Sequence, residues 1–316
     1  MVVRHLKYTI ASSDRQSTSY LNLAKDLSAM NRQLFRQARM YHVKSISLID
    51  DDAEKFVQIG VAPDTWAMRN AVKRGFSRYN EMNAQVLQDQ PSLKARWSDF
   101  KPYLSNNHRT AEGGGSTDYV METPEDIEGN NLQYGEWTFT IFESPDGTSS
   151  VDGYEIGVLG DHVGSAGNYE YVGLIQSYGD ARGTVNQVEP NIDVGFASDD
   201  PLVNLLDAGT QFDEIAENII QHGDQAPYKV KFSTNDSRGA AYVGAQANLP
   251  QEIMVGELNS SSAVGEGVQR VFGIEAPLGV IRIDHSLASG SIATNFTVIV
   301  ELAPGDYKGI RSESMV

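Results

Sequence analysis

A chain of 316 residues that is 40% hydrophobic is long enough to bury a large core, as one elaborate domain or two small ones. It contains no cysteine, which excludes disulfides, thiolate metal sites and cysteine nucleophiles. Its net charge of −17 is unevenly spread: residues 1–110 hold 17 Lys+Arg against 10 Asp+Glu, and residues 111–316 hold 8 against 32. The basic N-terminal part, 1–110, and the acidic β-rich part, 111–316, suggest one surface for polyanions and another for water.

The opening residues, MVVRHLKYTIASS, lack the apolar run of a secretory signal, and no stretch approaches the roughly 18 apolar residues of a membrane helix. Synthesis and residence in the cytosol are therefore expected. Residues 3–10 read as a strand, and 12–18 as a polar loop. Residues 20–30 have a loose helical period through Leu21, Ala24 and Leu27. Arg32, Arg36 and Arg39 continue in helical-looking sequence, which turns into an alternating strand at 41–49. Three aspartates, Asp50 to Asp52, then separate it from a second run at 55–61, so the pair reads as a hairpin with an acidic turn.

Pro63-Asp64 opens the clearest helix, with Asp64 placed to cap it. Trp66, Val72, Phe76, Tyr79 and Val86 step at near-helical intervals, while Arg69, Lys73, Arg74 and Arg78 make its polar side cationic. Gly75 weakens it by about 1 kcal/mol relative to alanine, and Pro91 ends it. A short helix is expected over 92–104. Gly113 to Gly115 mark 105–131 as a flexible loop or linker.

Strands dominate beyond it. They are expected at 137–142, before the turn Pro145-Asp146-Gly147, and then at 154–158, 169–175, 228–232, 253–255, 279–283 and 296–302. One helix interrupts, from Thr210 to Ile220, with Gly223 as its stop. Many short strands with Gly, Asn, Asp and Ser turns indicate a mainly β protein, a sandwich or barrel with helices in its long connections.

No catalytic signature stands out. No two of the six histidines are spaced i,i+2 or i,i+4, so a clustered metal centre is not expected, nor is any cofactor. Asp284-His285-Ser286 has the letters of a triad, but neighbours in a strand point to opposite faces. The glycine run lacks the Lys-Ser/Thr of a phosphate loop, and Asp50 to Asp52 lack the rest of a calcium loop. No spacing among 42 acids singles out a glycosidase pair. The cationic set is the most informative group. Arg32, Arg36, Arg39, Arg69, Lys73, Arg74 and Arg78 are candidate nucleic-acid contacts. Tyr41, Phe76, Tyr79 and Trp97 lie nearby, either to stack on unpaired bases or to fill the core.

Three stretches carry a resemblance: Ser12 to Gln16, Asn31 to Tyr41 (NRQLFRQARMY), and Val300 to Gly309 (VELAPGDYKG). They resemble capsid proteins of small circular single-stranded DNA viruses known from environmental samples, and the likeness touches both ends of the chain. The resemblance implies a viral jelly-roll β-sandwich with helical insertions, as one enlarged domain, with two tandem jelly rolls as the alternative. Such a subunit is a structural coat protein and not an enzyme. It is assembled inside the host cell into the virion, where copies of it form an icosahedral shell around single-stranded DNA. The chain departs from the common pattern of these coats. Arg4, His5 and Lys7 stand where an arginine-rich arm is usual, and the net charge is acidic. Either the basic third faces the genome, or an internal membrane or small basic protein lies between. Two other classes stay open: a carbohydrate- or receptor-binding β-sandwich of a spike or fibre, and a jelly-roll glycoside hydrolase.

Overall fold

Alternation of apolar and polar side chains writes strands into this chain, and where each strand finds its partner decides the fold. The computed structural model describes residues 2–11, 16–49, 55–89, 91, 99–114, 116–132, 137–145, 151–165, 168–178, 251–260, 268–287 and 294–316. The expected helix at 210–220, the strand at 228–232 and the aspartate turn at 50–52 lie outside these residues. The protein is mainly β. It divides into two compact units, each assembled from separate stretches: residues 1–63, 107–138 and 252–316 form unit 1, and 64–106 with 139–251 form unit 2. Counted over these stretches, Lys+Arg against Asp+Glu is 14 to 21 in unit 1 and 11 to 21 in unit 2. The charge divide along the sequence therefore does not become a divide between units.

Unit 1 is built on two five-stranded sheets. The first contains β1 (His5–Ile10), β3 (Arg39–Ile49), β11 (Gln269–Pro277) and β13 (Phe296–Leu302), in the order β1-β13-β3-β11, with β14 (Ser312–Ser314) also pairing β3. The second contains β2 (Ser17–Asn22), β4 (Lys55–Val61), β5 (Tyr119–Met121), β10 (Ile253–Ser260) and β12 (Val280–Leu287), in the order β10-β4-β12-β2-β5. Every pairing is antiparallel except β2 with β5. Inward residues of both sheets share one core. Leu6, Tyr8, Val43, Ile46, Val298 and Val300 come from the first sheet, and Leu21, Val57, Ile59, Ile281 and Ile283 from the second. Two sheets closing on one core are compatible with a β-sandwich.

The pairings are nested. β1 meets β13, β2 meets β12, β3 meets β11 and β4 meets β10, so the first strand of the set pairs with the last and each later strand with the next one in. Two further pairings, β13 with β3 and β12 with β4, join these couples into sheets. The expected hairpin between residues 41–49 and 55–61 is therefore wrong. β3 and β4 lie in different sheets, because each finds its partners in the last quarter of the chain, 192 or more residues later.

Local chemistry explains the helix of this unit. α1 (Leu23–Asn31) starts where the Asn22 side chain accepts a hydrogen bond from the Lys25 amide at 3.1 Å. The expected helix from residue 20 is thus a strand up to Asn22. The helix stops at Arg32, which adopts the left-handed conformation, φ 52° and ψ 39°. Arg36 and Arg39 accordingly lie beyond the helix, not on it. The stretch 105–131 is no bare linker: it holds α3 (Asn106–Glu112) and β5. The His108 ring of α3 lies 5.3 Å from that of Tyr20 of β2, tilted by 32°.

Unit 2 holds a four-stranded sheet of β6 (Ile141–Pro145), β7 (Val151–Gly157), β8 (Val163–Ser165) and β9 (Asn168–Gly173), ordered β6-β7-β9-β8. Its long helix, α2 (Trp66–Asp89), matches the expected one. Thr65, not Asp64, caps it: the Thr65 hydroxyl accepts from the Met68 amide at 3.2 Å. Gly75 allows close approach, since a Cβ there would stand 3.1 Å from Phe100 and Leu174. Phe76 and Tyr79 pack against Phe100, which stacks in turn on Phe142. Residues 99–104 are not helical, and 137–140 precede the strand instead of forming it.

Candidate nucleic-acid interface

Three segments converge at one end of unit 1. The Asn31 carboxamide accepts from the Val3 amide at 2.7 Å and donates to the Val3 carbonyl, which ties residues 2–4 to the end of α1. The Arg36 amide donates to the Tyr307 hydroxyl at 3.1 Å, and Lys308 donates through Nζ to the Leu34 carbonyl. Arg39 is the brace. Its guanidinium donates to the Ser312 hydroxyl at 3.0 Å and the Ser312 carbonyl at 2.8 Å, and it lies 3.8 Å over the Tyr307 ring. The turn Tyr307-Lys308-Gly309-Ile310 is closed by paired backbone bonds of 3.0 and 2.9 Å, with φ of 50° at Lys308 and 83° at Gly309. Positive φ at both central residues is the pattern of a type I′ turn.

This end gathers Arg4, Arg32, Arg36, Arg39, Lys308 and Arg311, with Asp306 as the one acid within residues 2–4, 31–39 and 303–312. Arg32, Arg36, Lys308 and Arg311 are exposed. The structure thus brings together the three nominated arginines of the N-terminal part and adds Arg4, Lys308 and Arg311, which sequence reasoning did not nominate. A signal for Lys308 exists, because VELAPGDYKG and NRQLFRQARMY both carry the resemblance; nothing local shows that the two segments touch.

Arg69, Lys73, Arg74 and Arg78 belong to unit 2. Arg69 forks onto Asp64, with Nε to Oδ1 at 2.5 Å and Nη2 to Oδ2 at 2.7 Å. Arg78 pairs with Glu81 at 2.9 Å. Lys73 and Arg74 are exposed, and Arg74 stands 5.8 Å from the Tyr178 ring. Two of the four cations on this helix are therefore balanced within the unit. Tyr41 is fully buried, while Phe76 and Tyr79 serve packing, so none of these rings is a stacking platform. Trp97 lies outside the described residues.

A second polar cluster is internal. Asp284 faces the outer side of its sheet, where Thr18 donates to it and Arg282 approaches at 3.0 Å. His285 faces inward, as strand alternation requires. Its Nε2 lies 3.4 Å from the Ser19 hydroxyl, which donates to Glu122 at 2.8 Å. Ser19 can then accept from Nε2–H, and Nδ1 is buried with no hydrogen-bond partner. Burial, with Lys55 nearby opposed by Asp284, lowers the His285 pKa to about 4. Burial, helped by Lys25, lowers that of His108 to about 3. Burial raises Glu122 against the Ser19 hydrogen bond. With Ser19 at 1% and His285 at 3% exposure, this cluster is part of the core. Among the described residues no group of three His, Asp or Glu could hold a metal, and no helix is long and apolar enough to cross a membrane.

Comparison with known proteins identifies no relative: no family model matches, and neither curated proteins nor solved structures yield a significant match.

Proposed function

We propose that the chain is a structural coat subunit with a viral jelly-roll fold, which assembles with copies of itself into an icosahedral shell around single-stranded DNA. One observation carries the reading. Numbering the eight nested strands in chain order, β1 to β4 and β10 to β13, the two sheets run 1-8-3-6 and 5-4-7-2. A long two-stranded ribbon whose four couples are wrapped into facing sheets yields that order, and it supports the double Greek key of a jelly roll. The chain leaves β4 at Val61 and re-enters β10 at Ile253, at the tip of the ribbon, so an insertion there interrupts none of the four nested couples.

Shell formation needs repeated interfaces, each burying on the order of 1,600 Å². Symmetry multiplies one modest contact many times. The decisive experiment is size-exclusion chromatography with negative-stain microscopy on the purified chain. Closed particles tens of nanometres across are expected. A monodisperse monomer or trimer over a wide range of concentration and salt would remove the shell.

A further inference from the structure

We infer that the end of unit 1 formed by residues 2–4, 31–39 and 303–312 binds the phosphodiester backbone of a single-stranded nucleic acid, and that α2 does not. This deepens the proposed function, because it assigns the cargo-contacting surface within the coat subunit.

Three observations carry the assignment. The first is local charge. The chain has 42 acids and 25 bases, yet residues 2–4, 31–39 and 303–312 carry six cations and one acid, Asp306, with Glu313 next along β14. The second is pairing. Elsewhere in unit 1 four cations reach carboxylates, Lys7 to Glu125 at 2.8 Å, Lys44 to Glu301 at 2.7 Å, Lys25 to Glu112, and Arg282 to Asp284 at 3.0 Å, while Lys55 donates to the Thr294 hydroxyl at 2.9 Å. Arg32, Lys308 and Arg311 are exposed and carry no ion pair among the described residues. The third is backbone conformation. Only three described residues other than glycine have positive φ, and two of them are Arg32 and Lys308. Glycine or asparagine is the usual occupant after a helix end and in a type I′ turn. A longer side chain there costs on the order of 1 kcal/mol, and such strain concentrates at sites of function. Here it turns the chain at two exposed cations, Arg32 and Lys308, the latter anchored through Nζ to the Leu34 carbonyl.

The chemistry favours a nucleic acid over a lipid surface. Membrane-surface binding pairs cations with exposed apolar side chains that enter the headgroup layer. At this end Phe35 and Ile310 are fully buried, and of the large hydrophobic side chains Val3 alone is exposed, at 39%. The cations also come from three separate segments of the chain, a path that a flexible single strand follows more readily than a duplex. On α2, by contrast, Asp64 and Glu81 already balance two of the four cations.

The test is binding of a fluorescent thirty-base oligothymidylate to the purified full chain, by anisotropy, across a salt series. Each phosphate contact contributes about 0.7 to the slope of log K against log salt for a single strand. The triple variant Arg32→Gln, Arg36→Gln, Arg311→Gln should bind about tenfold more weakly at low salt, with the slope reduced by about 2. The quadruple variant Arg69→Gln, Lys73→Gln, Arg74→Gln, Arg78→Gln should match the parent within about twofold. Should the triple variant melt early, single Arg32→Gln and Arg311→Gln variants should each lose about 0.7 of slope. Unchanged binding by the patch variants, loss by the α2 variant, no binding by the parent, or tighter binding to phosphatidylserine vesicles would each overturn the assignment. Microscopy separates the two claims: shells without oligonucleotide binding reject the patch alone, and binding without shells rejects the coat alone.

Discussion

Acid should unfold unit 1 well before its carboxylates titrate, because two histidines are buried uncharged. His108 and His285 hold folded pKa values of about 3 and about 4, against 6.5 in the unfolded chain. The sign follows from proton counting. Above about pH 6.5 neither state carries these protons. Below it the unfolded chain binds both while the folded chain refuses them, so stability falls as pH falls. At 1.36 kcal/mol per pKa unit, each histidine removes about 2.5 kcal/mol between pH 7 and pH 4.5. The sum, about 5 kcal/mol, equals the lower range of a whole domain's stability. Averaged over this window the slope is about 2 kcal/mol per pH unit, rising toward about 2.7 near pH 5. Glu122, raised by burial, works in the opposite direction and trims the effect. Glu125, Asp126 and Glu301 are held low, first of all by hydrogen bonds involving Lys7, Asn130 and Lys44, and their contributions disappear only below the window. Urea unfolding followed by circular dichroism at pH 7, 6, 5 and 4.5 measures the slope. Replacing either His108 or His285 by asparagine should halve it. A midpoint that does not move between pH 7 and 4.5, or variants that keep the parental slope, would refute the reasoning.

Other expectations are local. Asn22→Ala removes the cap of α1 and should cost about 1 kcal/mol in urea unfolding, with Asn22→Asp recovering most of it; equal midpoints would show that the cap is idle. Gly157→Ala would drive a Cβ to 1.9 Å from the Tyr171 hydroxyl, whose bond to the Leu159 carbonyl fixes the ring. A loss of about 3 kcal/mol or more is expected, and Tyr171→Phe in the same background should recover little of it, because the ring itself is also too close.

Much of the β-framework was legible, and the reason is visible strand by strand. β13 reads FTVIVEL and alternates buried with half-buried positions throughout, so its period announces it. β2 reads STSYLN and is buried at every position. Core and cover meet its two faces, with β5 and α3 alongside, so polar residues became internal and the alternation vanished. Partner choice was not legible at all. Alternation in β3 and β4 declares two strands, but their nearness in sequence suggested a hairpin where the register instead joins each to a strand from the far end of the chain. The charged end of unit 1 was half legible for the same reason. Arg32, Arg36 and Arg39 are neighbours in sequence, whereas Lys308 and Arg311 arrive through β13 and the turn that follows it. Even the local geometry at Arg32 had no signal, since a helix stop there would ordinarily call for glycine.

The nested ribbon also sets a schedule for synthesis. β1 to β4 leave the ribosome first, but their partners β10 to β13 lie beyond the whole stretch from Val61 to Ile253. At about 5–20 residues per second, that stretch takes roughly 10–40 s to emerge. For that interval β1, β3 and β4 lack their native mates, β2 has only the short β5, and the strands display open edges, the condition under which polypeptides adhere to one another. A cell making this protein in quantity would need to shelter its first sixty residues until the last sixty arrive.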